Sequence, residues 1–229
     1  MSLLLSVSLI LLTLAAYLAT RRIFLAYRHP LLNPVFLSTV TIIALLKLTG
    51  YTWGDYQPAK EVMTFLLGPA TVALALPLYH NRLLLRRHAP AVLAGVAAGS
   101  LTTMTAALVA GRLLSLNDTL LLSLGPKSVT VPIAVEISRL CGGEAPLTAA
   151  FVVATGMLGS ILGPGTLTLL KVKHPMARGL ALGTVSHGQG TAVALMESET
   201  AGAMGGVAMA LAAVFTALIA PYYLPLFLH

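Results

Sequence analysis

The amino-acid sequence predicts an all-α, polytopic membrane protein, and three observations support that prediction. Of the 229 residues, 57% are hydrophobic and 9% are charged, whereas roughly a quarter of the residues in a soluble domain are charged. The mean hydropathy is +0.90, and a soluble core of this size has no room for so many apolar side chains. Finally, several apolar segments have the length of about 20 residues that a membrane-crossing helix needs.

The composition also argues against other classes of protein. Cys141 is the only cysteine, so a disulfide scaffold is excluded. The net charge of +7 would suit nucleic-acid binding in a soluble protein. In a membrane protein, however, a basic excess reflects topology, because lysine and arginine are held on the cytoplasmic side. We therefore expect no nucleic-acid partner.

About six segments are expected to cross the bilayer as regular helices, namely 2–20, 31–49, 62–79, 90–110, 147–170 and 203–228. Basic residues follow rather than precede the first of them, so we expect a retained anchor rather than a signal peptide. Two further apolar segments, 119–137 and 177–196, carry helix breakers and polar residues in their middle. We expect these two to be broken or re-entrant.

Basic residues free of nearby acids form three clusters: Arg21, Arg22 and Arg28; Arg82, Arg86 and Arg87; and Lys171, Lys173 and Arg178. The positive-inside rule places these clusters in the cytoplasm and the N-terminus outside. The segment 119–140 then begins and ends outside, which predicts a re-entrant segment. The alternative is that 119–137 crosses the membrane and the rule fails at the third cluster.

The sequence contains a weak internal repeat, which we call the echo. Leu-Gly-Pro occurs at 67–69, 124–126 and 162–164, and the first two copies continue alike for about 15 residues. Thr130 and Glu136 have the same spacing as Thr191 and Glu197. Inverted repeats of an elevator-like transporter would explain the echo; coincidence in an apolar chain is the alternative. We expect a single membrane domain, 1–229, with regular scaffold helices in 1–110 and a transport region in 111–229.

Lys127 is the clearest candidate site residue, because an ionisable group inside a membrane segment is a functional candidate by default. It follows Gly125-Pro126 and precedes the hydroxyls of Ser128 and Thr130. A helix that starts after this break would add free backbone N–H groups, and together these donors suit a small carboxylate. The alternatives are that Lys127 snorkels to the interface or pairs with Glu136.

His187 is the second candidate, within the glycine-rich stretch 186–191 (SHGQGT). Imidazole titrates near neutral pH, so His187 is a candidate for proton coupling, with Glu136 as a second one; a hydrogen-bonded structural histidine is the alternative. We expect Gly188, Gln189, Gly190 and Thr191 to contact substrate. No metal-ligand cluster, cofactor motif or nucleophile–base pair is visible, so no metal, no cofactor and no enzyme is expected.

Three motifs together resemble one family. They are 67–75 (LGPATVALA), 128–134 (SVTVPIA) followed by Gly142-Gly143, and 177–183 (ARGLALG) leading to 186–192 (SHGQGTA). This set resembles the LrgB/CidB family of antiholin-like, murein-hydrolase-regulating membrane proteins. Gln189 stands where an apolar residue is expected in that family, and Val131 where threonine is common. The resemblance covers nearly the whole chain.

The resemblance implies two functions. Plastid relatives carry glycolate and glycerate, and bacterial relatives are linked to pyruvate and similar acids; bacterial members were named for control of autolysis, with a smaller LrgA/CidA-type membrane partner. A carrier needs the polar groups at both broken segments, so we expect a small-monocarboxylate transporter that works by alternating access. Thr71, at the mouth of a helix, is expected to help line its site. The bacterial inner membrane and a homodimer are further expectations.

Overall fold

The computed structural model describes residues 3–27, 32, 34–66, 69, 72, 75–80 and 82–228, and it is helical without strands across them. The α-helices are α1 Leu3–Tyr27, α2 Pro34–Thr49, α3 Trp53–Phe65, α4 Ala75–His80, α5 Arg82–Leu113, α6 Asp118–Leu124, α7 Val131–Cys141, α8 Ala145–Leu169, α9 Pro175–Glu197 and α10 Glu199–Tyr223, with a final 3-10 turn at Leu224–Phe227. The predicted all-α fold class is confirmed.

Four of the described helices are long and apolar enough to span a bilayer. They correspond to the predicted spans 2–20, 90–110, 147–170 and 203–228, which overlap α1, α5, α8 and α10 with the final 3-10 turn. The predicted span 31–49 is the shorter α2, of 16 residues. The predicted span 62–79 falls partly outside the described residues.

The chain forms two compact units, residues 1–73 and 74–229. In the first unit, α1 packs on α2 and α3 through Leu9, Ile42, Leu46 and Tyr56. The second unit contains α5, α8, α10 and both predicted breaks, which lie in 118–143 and 175–197. The assignment of 1–110 to a scaffold and 111–229 to a transport region stays a prediction.

Residues 118–143 form a helical hairpin, which we name hairpin 1. Its legs are α6 and α7, and its tip is 125–130, where backbone hydrogen bonds close successive turns. Gly142 ends α7 in the left-handed region at φ 92°. A Cβ on Gly143 would lie 2.9 Å from the backbone nitrogen of Ser123, and the backbone N–H of Glu144 donates to the Ser123 hydroxyl at 2.8 Å. The chain therefore turns back on itself, as predicted for 119–140.

Residues 175–197 form hairpin 2, because α9 consists of two helical legs joined at a sharp break. The guanidinium of Arg178 contacts both carboxylate oxygens of Glu197 at 2.6 Å. A straight helix would hold residues 19 positions apart at a separation of about 28 Å. The reversal lies at Ser186 and His187, which have non-helical dihedrals. Beyond it, the α-carbon of Gly190 packs against the carbonyl of Leu182.

The two hairpins enter from opposite ends of α8. Hairpin 1 joins the start of α8 directly, whereas Arg178 at the base of hairpin 2 donates to the carbonyls of Pro164 and Val172, at its far end. Each hairpin is followed by a helix of 25 residues, α8 or α10. The first leg of hairpin 2 runs antiparallel to α8, because Leu182 lies beside Gly163 and Ser186 beside Gly159. The same leg runs parallel to α10, because Gly179 lies beside Ala201 and Gly183 beside Gly205. Helices α8 and α10 are therefore antiparallel, which is the arrangement of an inverted repeat.

This structural repeat differs from the strongest echo in the sequence. The structure matches 118–169 with 175–223, whereas the sequence echo paired 67–83 with 124–140. The first copy of that echo lies partly outside the described residues. The weaker echo agrees with the structure in one respect, since Thr130 ends the tip of hairpin 1 and Thr191 lies four residues beyond the reversal in hairpin 2.

Candidate functional site

The tip of hairpin 1 presents hydrogen-bond donors at the start of α7. Thr130 is the N-cap residue, but its side chain does not cap the helix, and Pro132 lies in the first turn. The backbone N–H groups of Val131 and Ile133 precede the first intrahelical donor, Ala134, so they face outward from the helix end. The helix dipole makes this end favourable for a negative charge.

Three polar side chains stand at this tip. The hydroxyls of Ser128 and Thr130 are buried without a hydrogen-bond partner, and Ser128 is 6% exposed. Lys127 is half-buried, and no carboxylate lies within ion-pair distance of it in the part of the chain that the structure describes. Leaving a buried hydroxyl unpaired costs about 1–3 kcal/mol. The tip therefore has the donors of an anion site and an energetic reason to bind one.

The tip of hairpin 2 buries a histidine in an unusual backbone conformation. His187 is 7% exposed and has a φ of 40°, in the left-handed region that few non-glycine residues adopt. Its Nε2 lies 3.1 Å from the carbonyl oxygen of Val152. Because a carbonyl only accepts, Nε2 carries the proton and donates. The other ring nitrogen, Nδ1, is left to accept or to bind a proton.

The tip of hairpin 2 packs closely against the glycines of α8. A Cβ on Gly156 would lie 2.7 Å from Cε1 and Nε2 of His187 and 3.0 Å from Cδ of Gln189. A Cβ on Gly159 would overlap the Ser186 hydroxyl. The small residues that the sequence presents along one stripe of α8 therefore allow the close approach of the broken segment.

The remaining residues of the glycine-rich stretch have distinct roles. The Oε1 of Gln189 is buried without a hydrogen-bond partner, so it is available to a ligand. The hydroxyl of Thr191 donates to the carbonyl of His187 at 2.9 Å and stabilises the tip. Gly190 packs on backbone, whereas a Cβ on Gly188 would make only ordinary contact with Met209.

The two tips lie at the same level along α8. The hydroxyl of Thr148 donates to that of Ser138 at 2.7 Å, which sets the register between the antiparallel helices α7 and α8. Thr130 lies eight residues from Ser138, and Gly156 lies eight residues from Thr148, about 12 Å along each helix. Gly156 is the residue that contacts His187 and Gln189. Both tips thus reach the same depth, although no hydrogen bond or ion pair joins them among the described residues.

Other predicted site residues lie elsewhere. Glu136 is 62% exposed and forms an ion pair with Arg139 at 3.6 Å, so it does not pair with Lys127. Thr71 lies outside the described residues. Glu197 forms an ion pair with Arg178 across the base of hairpin 2, and its side chain is 23% exposed.

Sequence reasoning missed two features of this region. Arg178 was assigned only a topological role, yet it clamps hairpin 2 to the end of α8. Ser100 of α5 and Thr184 of α9 each bury a hydroxyl without a hydrogen-bond partner, and both are 2% exposed. The sequence did contain a signal for Ser100 and Thr184, because each is a hydroxyl residue that directly follows a glycine, Gly99 or Gly183, in an apolar helix.

The described residues contain no group of three or more histidine, cysteine or carboxylate side chains that could hold a metal ion. The polar atoms at the tips are hydroxyl, amide, ammonium and imidazole groups, which suit an organic anion better than a transition metal.

Comparison with known proteins assigns the family. The model of the LrgB-like family matches residues 13–226. The chain belongs to that family. The Bacillus subtilis (strain 168) uncharacterized protein YxaC is 37% identical over 222 residues, which is 97% of this chain and 96% of the relative. The family resemblance of the three sequence motifs is confirmed.

Relatives with functional names are similar in extent. The antiholin-like protein LrgB of Bacillus subtilis (strain 168) is 34% identical over 86% of this chain and 85% of its own length. The holin-like protein CidB of Staphylococcus epidermidis (strain ATCC 35984) is 31% identical over 97% of both chains. No solved structure matches the chain. The chain is therefore a multi-pass membrane protein of the LrgB-like family, with antiholin-like and holin-like relatives.

Proposed function

We propose that the protein transports a small monocarboxylate, such as glycolate, glycerate or pyruvate, by alternating access. The observation that supports this proposal is the set of buried polar atoms without partners at the two tips: the hydroxyls of Ser128 and Thr130 and the Oε1 of Gln189. A folded protein keeps such atoms where a ligand or water completes their hydrogen bonds.

In this proposal, each tip binds one part of the substrate. Lys127, Ser128, Thr130 and the amides at the start of α7 would bind the carboxylate. Gln189, with the neighbouring tip of hairpin 2, would bind the hydroxyl or keto oxygen. The arrangement of re-entrant hairpins from opposite sides is one that transporters use to expose a site alternately.

His187 is the proposed group for proton coupling. Its Nε2 donates to the carbonyl of Val152, so protonation at Nδ1 would place a positive charge at the tip without breaking that bond. A carboxylate and a proton could then move together as a neutral pair. Glu136 is the weaker candidate, because it is exposed and paired with Arg139.

Control of autolysis is the second candidate function, and the names of the relatives favour it over transport. LrgB and CidB are called antiholin-like and holin-like. By that analogy the chain would regulate murein hydrolases together with a smaller LrgA/CidA-type membrane protein. The carrier remains our first proposal because a lesion-forming or scaffold protein needs no paired polar tips at one depth.

Uptake of labelled glycolate and pyruvate into proteoliposomes tests the two functions against each other. We expect saturable uptake by the wild type and no release of large encapsulated dyes. Dye release without saturable uptake would overturn the carrier and support a holin-like function. Absence of both activities, with stable binding of the small partner, would support a regulatory scaffold.

The site is tested in the same assay with Lys127→Ala and His187→Ala. A charge-assisted hydrogen bond contributes about 1.5–3 kcal/mol, so Lys127→Ala should raise KM about 10- to 100-fold. His187→Ala should abolish stimulation by a pH gradient. Lys173→Ala removes an exposed cation outside the hairpins and is the matched control. Unchanged transport in both tip variants would refute the site assignment.

Further parts of the proposal follow from this assignment. The protein is not an enzyme and needs no cofactor, because it moves its substrate without changing it. It lies in the bacterial inner membrane with the N-terminus outside, and it works as a homodimer. Cysteine accessibility in intact cells and crosslinking in membranes test these two points.

A further inference from the structure

The first unit, residues 1–73, contains a cavity of about 440 Å³ that no part of the transport proposal uses. Its lining includes Thr13 of α1, Ile42, Ile43 and Lys47 of α2, and Tyr56 of α3. Pockets that bind small molecules have a volume of about 300–1,000 Å³ and a mostly apolar lining with a few polar groups. The cavity has both properties.

Along α2 the lining begins with the hydroxyl residues Ser38 and Thr39 and then changes from apolar to charged. Ile42 and Ile43 form its apolar part, and Lys47 lies one turn further on, at the end of the helix. The rim beyond Lys47 is aromatic, with Tyr51 and Trp53, which are 43% and 61% exposed. Tyrosine and tryptophan mark the level of lipid headgroups in membrane proteins. The charged end of the cavity therefore lies at a membrane interface, and its apolar part, Ile42 and Ile43, lies deeper.

The Lys47 ammonium has no ion-pair partner among the residues that the structure describes. The acid closest to it in sequence, Asp55, is occupied, because it accepts hydrogen bonds from the backbone N–H and the hydroxyl of Thr52 at 2.8 and 2.7 Å. A cation that lines an apolar cavity without a carboxylate partner is complementary to an anionic ligand.

The hydroxyl of Tyr56 is a further polar group that lines the same cavity. The hydroxyl of Thr13 donates to the carbonyl of Leu9 at 2.8 Å, so it accepts from the hydroxyl of Tyr56, at 3.0 Å. The Tyr56 oxygen then keeps its own lone pairs and can accept from a ligand hydroxyl. The cavity thus offers a cation and a neutral acceptor, next to an apolar wall.

We propose that this cavity binds an anionic phospholipid with a hydroxylated headgroup, of the phosphatidylglycerol type. The phosphate would pair with Lys47, the headgroup hydroxyls would lie towards Tyr56, and an acyl chain would follow Ile42 and Ile43. None of the lining residues belongs to the hairpins, so this proposal does not depend on the transport proposal.

Thermal unfolding of the full-length protein in detergent tests the proposal. Phosphatidylglycerol should raise Tm by about 5 °C or more, and phosphatidylcholine with the same acyl chains should raise it by less than half as much. Lys47→Ala should lose the difference between the two lipids. Lys60→Ala removes an exposed cation of α3 that does not line the cavity and should keep the difference.

Two further measurements separate the lipid from other occupants. Ile43→Trp fills the apolar wall at a half-exposed position without changing charge, and it should also lose the effect of phosphatidylglycerol. Soluble glycerol phosphate should not stabilise the protein, because it lacks the acyl chain. Equal stabilisation by both lipids, or equal loss in Lys60→Ala, overturns the proposal. So does a change from oligomer to monomer in Lys47→Ala without lipid selectivity, which would place a second copy of the chain on the cavity.

Discussion

Replacing Gly156 with alanine tests whether the tip of hairpin 2 is seated on α8. The added Cβ would lie 2.7 Å from Cε1 and Nε2 of His187 and 3.0 Å from Cδ of Gln189. Non-bonded carbon atoms pack at about 3.5–4.0 Å, so the imidazole must move by roughly 0.8 Å or more. That movement lengthens its 3.1 Å hydrogen bond to the carbonyl of Val152.

The magnitude follows from three contributions. Alanine is better than glycine in a helix by about 1 kcal/mol. Overpacking at a well-packed contact costs about 1–3 kcal/mol, and loss of the His187 hydrogen bond costs about 1 kcal/mol more. Gly156→Ala should therefore destabilise the fold by about 1–3 kcal/mol and lower Tm by between about 2 and 10 °C in a chain of this length.

Gly165→Ala is the matched control on the same helix. A Cβ at Gly165 would meet nothing within 4 Å, so this variant gains helix propensity without a clash and should raise Tm by about 2–4 °C. Thermal unfolding in detergent measures both variants, and uptake in proteoliposomes should fall only in Gly156→Ala. If the two variants gain stability equally and transport alike, His187 does not pack on α8 and the geometry of the tip is wrong.

Two further predictions concern the ends of helices. Glu197→Gln removes the charge that holds Arg178 across the base of hairpin 2 through two hydrogen bonds of 2.6 Å and should cost about 1 kcal/mol, the value for a partly exposed charge pair. Glu199→Gln, the neighbouring control, removes a first-turn charge of α10 and should lower Tm by less; equal effects would contradict the clamp. The hydrogen bonds from Thr52 hold the pKa of Asp55 below its usual range. The ionised Asp55 carboxylate therefore stabilises the folded state. This stabilisation is complete above the unfolded pKa of about 3.9 and is lost as pH falls through the lower, folded pKa. Carboxylate chemical shifts should show the low pKa and its return towards 3.9 in Thr52→Val; an ordinary pKa in the wild type would refute the capping geometry.

The break in hairpin 1 was predictable because its causes are local. Proline removes a backbone donor and blocks the preceding turn, and the sequence places Pro126 and Pro132 on either side of Lys127 and Ser128. The rule for basic residues then required 119–140 to return to the side from which it came. Both arguments use only neighbouring residues and the presence of a membrane, so the hairpin could be predicted without knowledge of its tertiary contacts.

The glycines and polar residues of 177–196 predicted that this segment is broken, but the direction of the chain after the break depends on contacts that sequence does not reveal. No proline lies near Ser186 and His187, and the turn is held by the packing of Gly190 on the carbonyl of Leu182 and by the clamp across the base. The partners in that clamp are 19 residues apart and lie on the two legs of the hairpin. Its carboxylate is followed by polar residues, so its sequence context was that of a solvated loop.

The position of α8 between the hairpins has a mechanistic consequence. The tip of hairpin 2 touches α8 at Gly156, and Val129 from the tip of hairpin 1 shares a buried cluster with Val152, one turn away. His187 donates to the carbonyl of that same Val152. A ligand that shifted either tip would therefore change the packing of the other through a single turn of helix, without any direct contact between the tips. Such coupling is what alternating access requires of its two gates, since only one of them is to open at a time.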